Sequence, residues 1–370
     1  MQTRFWNASL LFLSVVLAGR ALAHHSRAAY DQAKNLELRG TVVDFKLRSP
    51  HSSLIVDGIA IIDGVRESRE AERWELESEA VPGMRAYGID ADTFKVGDSI
   101  VIEGHPHHTQ GFKFAQLTKF VSVNGRPFET HAGRRLEATQ EATTEGGTAS
   151  SAGTVGVARI SGRWVPKFVP PGDRSALPLN AAGLKAWKAY NPKLSPANTC
   201  ESMSIPEIFH APFYLYEIKL DHDQAVLRTE AYEILRTVPL DGKPAKADPK
   251  GQFGTVVGRV EGDTLVIESR DYPPSRWGLG AATQLNGGGA DVPSSAQKTV
   301  VERYSVSSDG RVLNYDYTLS DPVYLEKPYS YRIEFLRVPD DTPIYPYKCD
   351  LESASMFSRT PQDAPLKVGK

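Results

Sequence analysis

Apolar residues in the first half of the chain fall in short runs that are separated by turn residues. Residues 36–47 predict a long strand, and the glycine inside it indicates a bulge or a sharp curl. In residues 72–80 polar and apolar positions alternate, which places Trp74 and Leu76 on one strand face. Five such strands in about 100 residues, the first of them curled, predict a small OB-like barrel.

The second half is also rich in predicted strands. Residues 254–272 and 298–322 have the pattern of hairpins with glycine-containing turns, and only residues 180–190 have a helical pattern. An antiparallel β-barrel or sandwich, lipocalin-like in form, is therefore expected, so the whole protein is predicted to be all-β. Residues 278–295 predict a long flexible loop, and loops of that length are often lids or binding loops.

A break in composition separates the two halves. Residues 137–156 are rich in Thr, Ser, Gly, Ala and Glu and contain almost no large apolar residue, which is typical of a linker. We therefore predict a first domain at residues 24–130, a linker at residues 131–157 and a second domain at residues 158–361.

The first 23 residues have the pattern of a signal peptide. The apolar run at residues 8–18 is too short to span a membrane, and the A-L-A triplet ending at Ala23 offers a signal peptidase a cleavage site. Cleavage after Ala23 makes His24 the first residue of a periplasmic or secreted protein; the alternative is an uncleaved anchor. No later segment is apolar enough to cross a bilayer.

Charge and cysteine content narrow the function classes. The chain has 43 basic and 45 acidic residues, and this balance argues against a nucleic-acid-binding protein, which would show a basic excess. An exported protein with only two cysteines usually pairs them, so we predict a disulfide between Cys200 and Cys349. A reactive thiol pair is the alternative, and the wide spacing disfavours it.

The first half resembles DUF6152, a family of exported bacterial proteins of unknown function, over most of residues 24–125. The motifs that carry the resemblance are A-H-H-S at residues 23–26, S-P-H at 49–51 where the family commonly has N-P-H, W-E-L at 74–76, K-V-G-D at 95–98 and I-E-G at 102–104. The H-H-S and P-H motifs are the more specific ones, because V-G-D followed by E-G is common among small barrels.

The second half is similar to a family of uncharacterised exported proteins with an E-G-D-T-L-V hairpin. That hairpin lies at residues 260–266, V-E-R-Y follows at 301–304 and D-P at 321–322, and both cysteines fit. The chain has Val260 where that family usually has tryptophan, and it lacks the histidine expected near Gly254. The resemblance implies an architecture and a compartment, and it implies no activity.

Six of the nine histidines lie in the first 108 residues, and three of them suit a copper site. A terminal His24 can chelate through its amine and its ring, with His51 as a third nitrogen donor for Cu(II). Neighbouring side chains alternate in an extended segment, so only one of His24 and His25 is expected to join His51. Binding should weaken below about pH 6. The alternative is that His51 orders a turn after Pro50, and the histidines at 105–108 are expected to lie in a solvated loop.

Tyrosines are concentrated in the second half. Tyr315 and Tyr317 share one strand face, and with His210 they are predicted to line an apolar ligand cavity; the alternative is a packed core. The D-H-D triplet at residues 221–223 is typical of a turn. No serine-hydrolase, zinc-protease or phosphate-loop motif is present.

These patterns predict an exported binding protein. Its first domain would bind copper, and its second domain would bind a small apolar ligand or an envelope protein. The alternative is a cofactor-independent lyase, isomerase or hydrolase that uses an acid–base residue such as His210 or Asp316 in the second barrel. A third hypothesis is that the protein is a scaffold in an envelope complex, with both the copper site and the ligand cavity unoccupied.

Overall fold

The computed structural model describes residues 29–128, 156–167, 175–211, 214–281 and 291–356. The predicted signal peptide and most of the predicted linker lie outside these ranges. No helix within them is long and apolar enough to cross a membrane. The two predicted domains are separate β-barrels, so the all-β prediction is confirmed.

The first barrel is OB-like, as predicted. Its elements are β1 (Leu36–Lys46), β2 (Ser53–Ile62), β3 (Val65–Arg66), β4 (Glu72–Glu77), α1 (Val81–Ala86), β5 (Ser99–Pro106), β6 (Phe114–Val123) and β7 (Arg126–Pro127). Five strands close in the order β1-β2-β4-β6-β5 and back to β1. The β4–β6 pair is parallel, and the other pairs around the barrel are antiparallel.

The first strand is curled enough to pair on both of its edges. β1 pairs with β2 along its length and with β5 over its first half. Gly40 lies opposite Gly58, and a Cβ added at Gly40 would lie 2.3 Å from the carbonyl oxygen of Asp57. The glycine therefore permits the close approach, while the bulge itself falls two residues later, between Val42 and Asp44. Trp74 and Leu76 both point into the barrel core, in agreement with the alternation.

The second barrel has ten strands. They are β8 (Gly162–Pro166), β9 (Tyr216–Leu220), β10 (Gln224–Thr229), β11 (Leu235–Pro239), β12 (Ala245–Lys246), β13 (Thr255–Glu261), β14 (Thr264–Arg270), β17 (Thr299–Val306), β18 (Val312–Ser320) and β19 (Tyr329–Val338). They follow the order β11-β10-β9-β8-β19-β18-β17-β14-β13-β12. The two ends almost meet, because the Thr237 N–H donates to the Ala247 carbonyl at 3.0 Å.

The prediction of one long loop at residues 278–295 is wrong at both ends of that segment. Two further strands, β15 (Ser275–Ala281) and β16 (Asp291–Ser294), pair with each other there; residues 282–290 lie outside the described ranges. The glycines serve close packing: a Cβ at Gly278 would lie 1.8 Å from Ser294 Oγ, and one at Gly280 would lie 2.1 Å from Glu207 Oε2.

Helices are few and short. The predicted helix is present as α2 (Ala181–Lys188), and Asn180 caps it by accepting a 2.9 Å hydrogen bond from the Gly183 N–H. A last turn, α3 (Leu351–Ala354), and several 3-10 helices were not predicted. The 3-10 helices are Gly156–Ile160, Pro192–Leu194, Pro196–Thr199, Glu207–His210 and Ala231–Glu233.

A C-terminal segment joins the two barrels. Residues 345–356, here called the strap, follow β19 and contact the first barrel at the loop between β1 and β2. The predicted disulfide between Cys200 and Cys349 is present, with Cα atoms 5.9 Å apart, and it ties the strap to the second barrel. Met356 at the end of the strap packs against Tyr30 and Phe114 of the first barrel.

Candidate functional site

The S-P-H motif forms the loop between β1 and β2, residues 47–52, here called the His51 loop. Ser49 Oγ accepts a 3.1 Å hydrogen bond from the Val81 N–H at the start of α1. The Ser52 N–H donates to the Glu79 carbonyl at 3.0 Å, and the Ser52 carbonyl accepts from the Ser78 N–H at 2.8 Å. The loop is therefore pinned against the segment that links β4 to α1.

A buried carboxylate orients the His51 imidazole. Glu77, at the end of β4, places Oε1 3.0 Å from His51 Nδ1, and its other oxygen accepts a hydrogen bond from the Tyr30 hydroxyl. The Glu77 side chain is 3% exposed and Tyr30 is fully buried. Because a carboxylate only accepts, His51 Nδ1 carries the proton, and in the neutral imidazole the lone pair lies on Nε2.

The carboxylates of Glu77 and Glu79 raise the pKa of the His51 imidazole. Burial lowers the pKa of the imidazole, and the charges of Glu77 and Glu79 together with the Glu77 hydrogen bond outweigh that effect, so the pKa is raised above its ordinary value. The Tyr30–Glu77–His51 set is thus a hydrogen-bonded network in a largely dry environment.

Of the other described histidines of the first barrel, His105 lies near the end of β5, and His107 and His108 lie in the loop that follows it. His107 Nδ1 accepts a 3.0 Å hydrogen bond from the Thr109 N–H, and its ring lies edge-on to Phe112 and Tyr30. Burial, with a smaller contribution from His108, lowers the pKa of His107. His107 is therefore half-buried and packed, in contrast to the solvated loop expected from the sequence, whereas His108 is exposed as expected.

The chain enters the first barrel beside this network. The Asp31 N–H donates to the Pro106 carbonyl at 2.8 Å, and the His108 N–H donates to the Ala29 carbonyl at 2.9 Å. His24 and His25, the other predicted copper ligands, lie outside the described residues. Within the described residues, no group of three or more His, Cys, Asp and Glu side chains is arranged to hold a metal ion.

An aromatic side chain from the chain itself occupies the second barrel. The 3-10 helix Glu207–His210 inserts Phe209, whose ring lies 4.5 Å from the Tyr315 ring and 5.2 Å from the Tyr216 ring. His210 Nε2 lies 2.9 Å from the Tyr317 hydroxyl, and the rings of Tyr315 and Tyr317 are 5.6 Å apart. The structure therefore brings the three predicted ligand-binding residues together around this helix.

One cavity inside the second barrel is small and apolar. A cavity of about 20 Å³ lies between Phe209 and the barrel wall, which is about the room that one water molecule needs. Ile205, Leu227, Ile234 and Leu313 provide apolar parts of its lining. Entry of a larger apolar molecule requires Phe209 to move.

A buried ion pair crosses the interior of the second barrel. Arg236 on β11 makes two hydrogen bonds to Glu302 on β17, at 3.0 and 2.6 Å, and Glu302 Oε1 also accepts from the hydroxyls of Tyr304 and Tyr315. The pair spans the lumen, because β11 and β17 are not adjacent in the sheet. Arg303 points outward and pairs with Glu261 at 2.9 Å.

Lys298 is fully buried, and the sequence analysis did not predict this. Lys298 Nζ donates to Ser204 Oγ at 2.6 Å and to the Gly278 carbonyl at 2.5 Å, and it lies over the Tyr272 ring. Burial lowers the pKa of Lys298 to about 7, against the opposing effect of the Asp321 carboxylate. Nothing in the local sequence signals this residue, because it immediately precedes β17 at a position that reads as an ordinary charged turn.

The first barrel matches a known family. DUF6152, described as a family of unknown function, matches residues 13–113, which is less than a third of the chain. This agrees with the resemblance of the first half, and the resemblance of the second half to an E-G-D-T-L-V hairpin family stays a prediction. No curated protein matches the chain.

Two solved structures are similar to about half of the chain. Apo lipid binding protein 8 of Caenorhabditis elegans is 11% identical with a TM-score of 0.26, covering 50% of this chain and 99% of its own. The zebrafish ileal bile acid-binding protein, complexed with cholic acid, is 11% identical with a TM-score of 0.27, covering 49% and 99%. Similarity this low says nothing about the ligand of this chain.

Asp316 and the D-H-D triplet at residues 221–223 both lie on the surface. Asp316 lies on the outer face of β18, where it makes a bidentate pair with Arg332 at 2.7 and 2.9 Å. The prediction that Asp316 serves an enzyme inside the barrel is therefore wrong. The D-H-D triplet is an exposed turn, as predicted, and His222 Nδ1 lies 2.6 Å from Asp223 Oδ1.

Proposed function

We propose that the chain is an exported binding protein whose first barrel holds one Cu(II) ion through His51 and an N-terminal histidine. The observation that carries the proposal is the hydrogen bond from His51 Nδ1 to buried Glu77. Metal-binding histidines usually donate their second ring nitrogen to a carboxylate in this way, which fixes the ring and makes the ligating nitrogen more basic.

The remaining nitrogen donors would come from the mature N-terminus. His25 precedes Ala29 by four residues, and that length of chain spans at most about 14 Å. A terminal amine and two imidazole nitrogens form a donor set that suits Cu(II). Export, and a location in the periplasm or outside the cell, rest on the N-terminal sequence alone.

Copper binding can be tested on the full mature chain. We expect native mass spectrometry to show a protein that begins at His24 and binds one Cu(II). His51→Ala should abolish that binding, and Glu77→Gln should weaken it by roughly 10- to 100-fold. The matched control is His222→Ala, which removes an exposed turn histidine. Unchanged stoichiometry in His51→Ala would refute the proposal.

A second candidate function is binding of a small apolar ligand by the second barrel. It is favoured by the apolar cavity next to Phe209. The ligand would replace Phe209 among the aromatic rings, so Phe209→Ala should increase binding of an apolar fluorescent probe. Leu351→Ala is the control, because Leu351 is exposed and lies on the strap. Equal probe binding by both variants and the wild type would exclude this function.

A further inference from the structure

The buried ion pair of the second barrel has a hydrogen-bond donor left over. Glu302 accepts from Arg236 Nη1 at 3.0 Å and from Nη2 at 2.6 Å. The Tyr304 and Tyr315 hydroxyls donate to the same carboxylate at 2.8 and 3.1 Å, which uses about all of its acceptor capacity. Arg236 Nε is buried and makes no hydrogen bond within the described residues.

This spare donor belongs to a charged group. Burial lowers the pKa of the Arg236 guanidinium, and the charge of Glu302 together with its hydrogen bonds outweighs that effect, so the pKa is raised. A buried charged donor without an acceptor destabilises the folded state. A molecule that brings an acceptor to Nε therefore gains binding free energy that a hydrocarbon of the same shape does not.

The spare donor lies beside the cavity that Phe209 borders. Arg236 and Tyr304 are among the residues that line this cavity. The Phe209 ring lies 4.5 Å from the ring of Tyr315, whose hydroxyl is bound to Glu302. A ligand that replaces Phe209 thus lies against Tyr315, next to the ion pair.

The charges in this interior decide what kind of acceptor suits it. Glu302 already balances Arg236, so a carboxylate ligand would meet no unpaired positive charge there, and its desolvation would be uncompensated. Lys298, a second buried cation of this barrel, is already bound to Ser204 Oγ and to the Gly278 carbonyl. The interior therefore favours a neutral acceptor oxygen over an anion.

We propose that the second barrel binds a small neutral molecule that has an apolar body and one acceptor oxygen, such as a ketone or an ester, and that Arg236 Nε donates to this oxygen. The inference rests on the second candidate function, ligand binding by this barrel, and it names the class of ligand. The apolar body takes the place of Phe209.

Two probes of nearly the same shape isolate the contribution of the oxygen. Acetophenone has a carbonyl oxygen where α-methylstyrene has a methylene group. Because water solvates the two probes differently, the quantity to compare is the ratio of their Kd values, measured by calorimetry on the full mature chain. We expect Arg236→Met combined with Glu302→Gln to shift this ratio against acetophenone by roughly 10- to 100-fold. Arg303→Gln is the matched control and should keep the wild-type ratio, since Arg303 points outward.

A second measurement needs no change at the ion pair and so does not depend on the folding of that variant. The proton–nitrogen NMR signal of Arg236 Nε reports hydrogen bonding at this atom. We expect acetophenone to shift it downfield and α-methylstyrene to leave it in place, in wild type and in Phe209→Ala, where the space of the ring is open. Benzoate tests the charge: it should bind Glu302→Gln at least about tenfold more tightly than wild type, because Arg236 is then unbalanced.

The outcomes separate the inference from the function on which it rests. If both neutral probes bind and neither the Kd ratio nor the Nε signal distinguishes them, the inference is overturned while ligand binding by the barrel stands. If benzoate binds wild type more tightly than acetophenone does, the neutral class of ligand is wrong. If no probe binds wild type or Phe209→Ala, the second candidate function itself fails, and the inference fails with it.

Discussion

The ion pair inside the second barrel makes a quantitative prediction about stability. Arg236 is 1% exposed and Glu302 is fully buried, and their two hydrogen bonds leave the pair neutral as a unit. Glu302→Gln keeps the size of the side chain and an oxygen that can still accept from the two tyrosine hydroxyls. The substitution removes the negative charge that balances Arg236, and it also replaces the oxygen that accepts from Arg236 Nη2 by an NH2 donor.

Breaking a buried pair on one side costs about 3–5 kcal/mol, because an uncompensated charge stays in the interior. We expect Glu302→Gln to lower the free energy of unfolding by that amount. Adding Arg236→Met to Glu302→Gln removes the stranded charge, so the double variant should be more stable than Glu302→Gln alone. This order of stabilities is the signature of a charge effect, since a loss of packing would accumulate with each substitution.

Urea unfolding followed by circular dichroism measures these free energies. The matched control is Arg303→Gln, one residue along β17 on the opposite face, whose exposed pair with Glu261 should contribute at most about 1 kcal/mol. The reasoning is refuted if Glu302→Gln stays within about 1 kcal/mol of wild type, or if the double variant is the less stable of the two.

Three further predictions follow from the second barrel. Phe209→Ala should lower the free energy of unfolding by about 3–5 kcal/mol in a urea titration and let the emptied space bind benzene, seen as a ligand-dependent rise in Tm. Because the pKa of Lys298 is about 7 when folded and about 10.4 when unfolded, the unfolded chain binds more protons between these values. Stability should thus rise by up to about 1.4 kcal/mol per pH unit over that window, and Lys298→Met should flatten the rise in urea titrations at pH 7 and 9. Replacing Cys200 and Cys349 together by serine opens a loop with a sequence separation of 149 and should cost about 5 kcal/mol, measured by urea unfolding without reductant.

The strands of both barrels were predictable because alternation is a local property. In β17 the buried positions Val300, Glu302 and Tyr304 alternate with exposed ones, so a period of two already places Glu302 inside. Its partner could not be predicted in the same way. Arg236 is 66 residues away and lies on a strand that is not adjacent to β17, so the pair exists only because the sheet closes on itself.

The side chain that fills the second barrel, Phe209, also could not be predicted from local sequence patterns. The tyrosine stripe at Tyr315 and Tyr317 predicted rings that face inward, and the structure agrees. It did not indicate what those rings would pack against. Phe209 comes from a 3-10 turn, too short to show any periodic pattern, and its position depends on the whole connection between β8 and β9. The sequence therefore predicted a lined interior without predicting its occupant.

The His51 loop shows why a motif specifies a loop more firmly than a site. Its buried main-chain groups must find partners, since leaving one unpaired costs about 1–3 kcal/mol. The S-P-H sequence predicts that these groups need partners, but it does not predict which residue provides them. Here the partner is Ser353, 302 residues further along the chain. A protein that shares the motif but has no strap must satisfy the same N–H and C=O groups with water or with another chain. The loop can thus be common to a family while the contacts that hold its histidine differ from one member to the next.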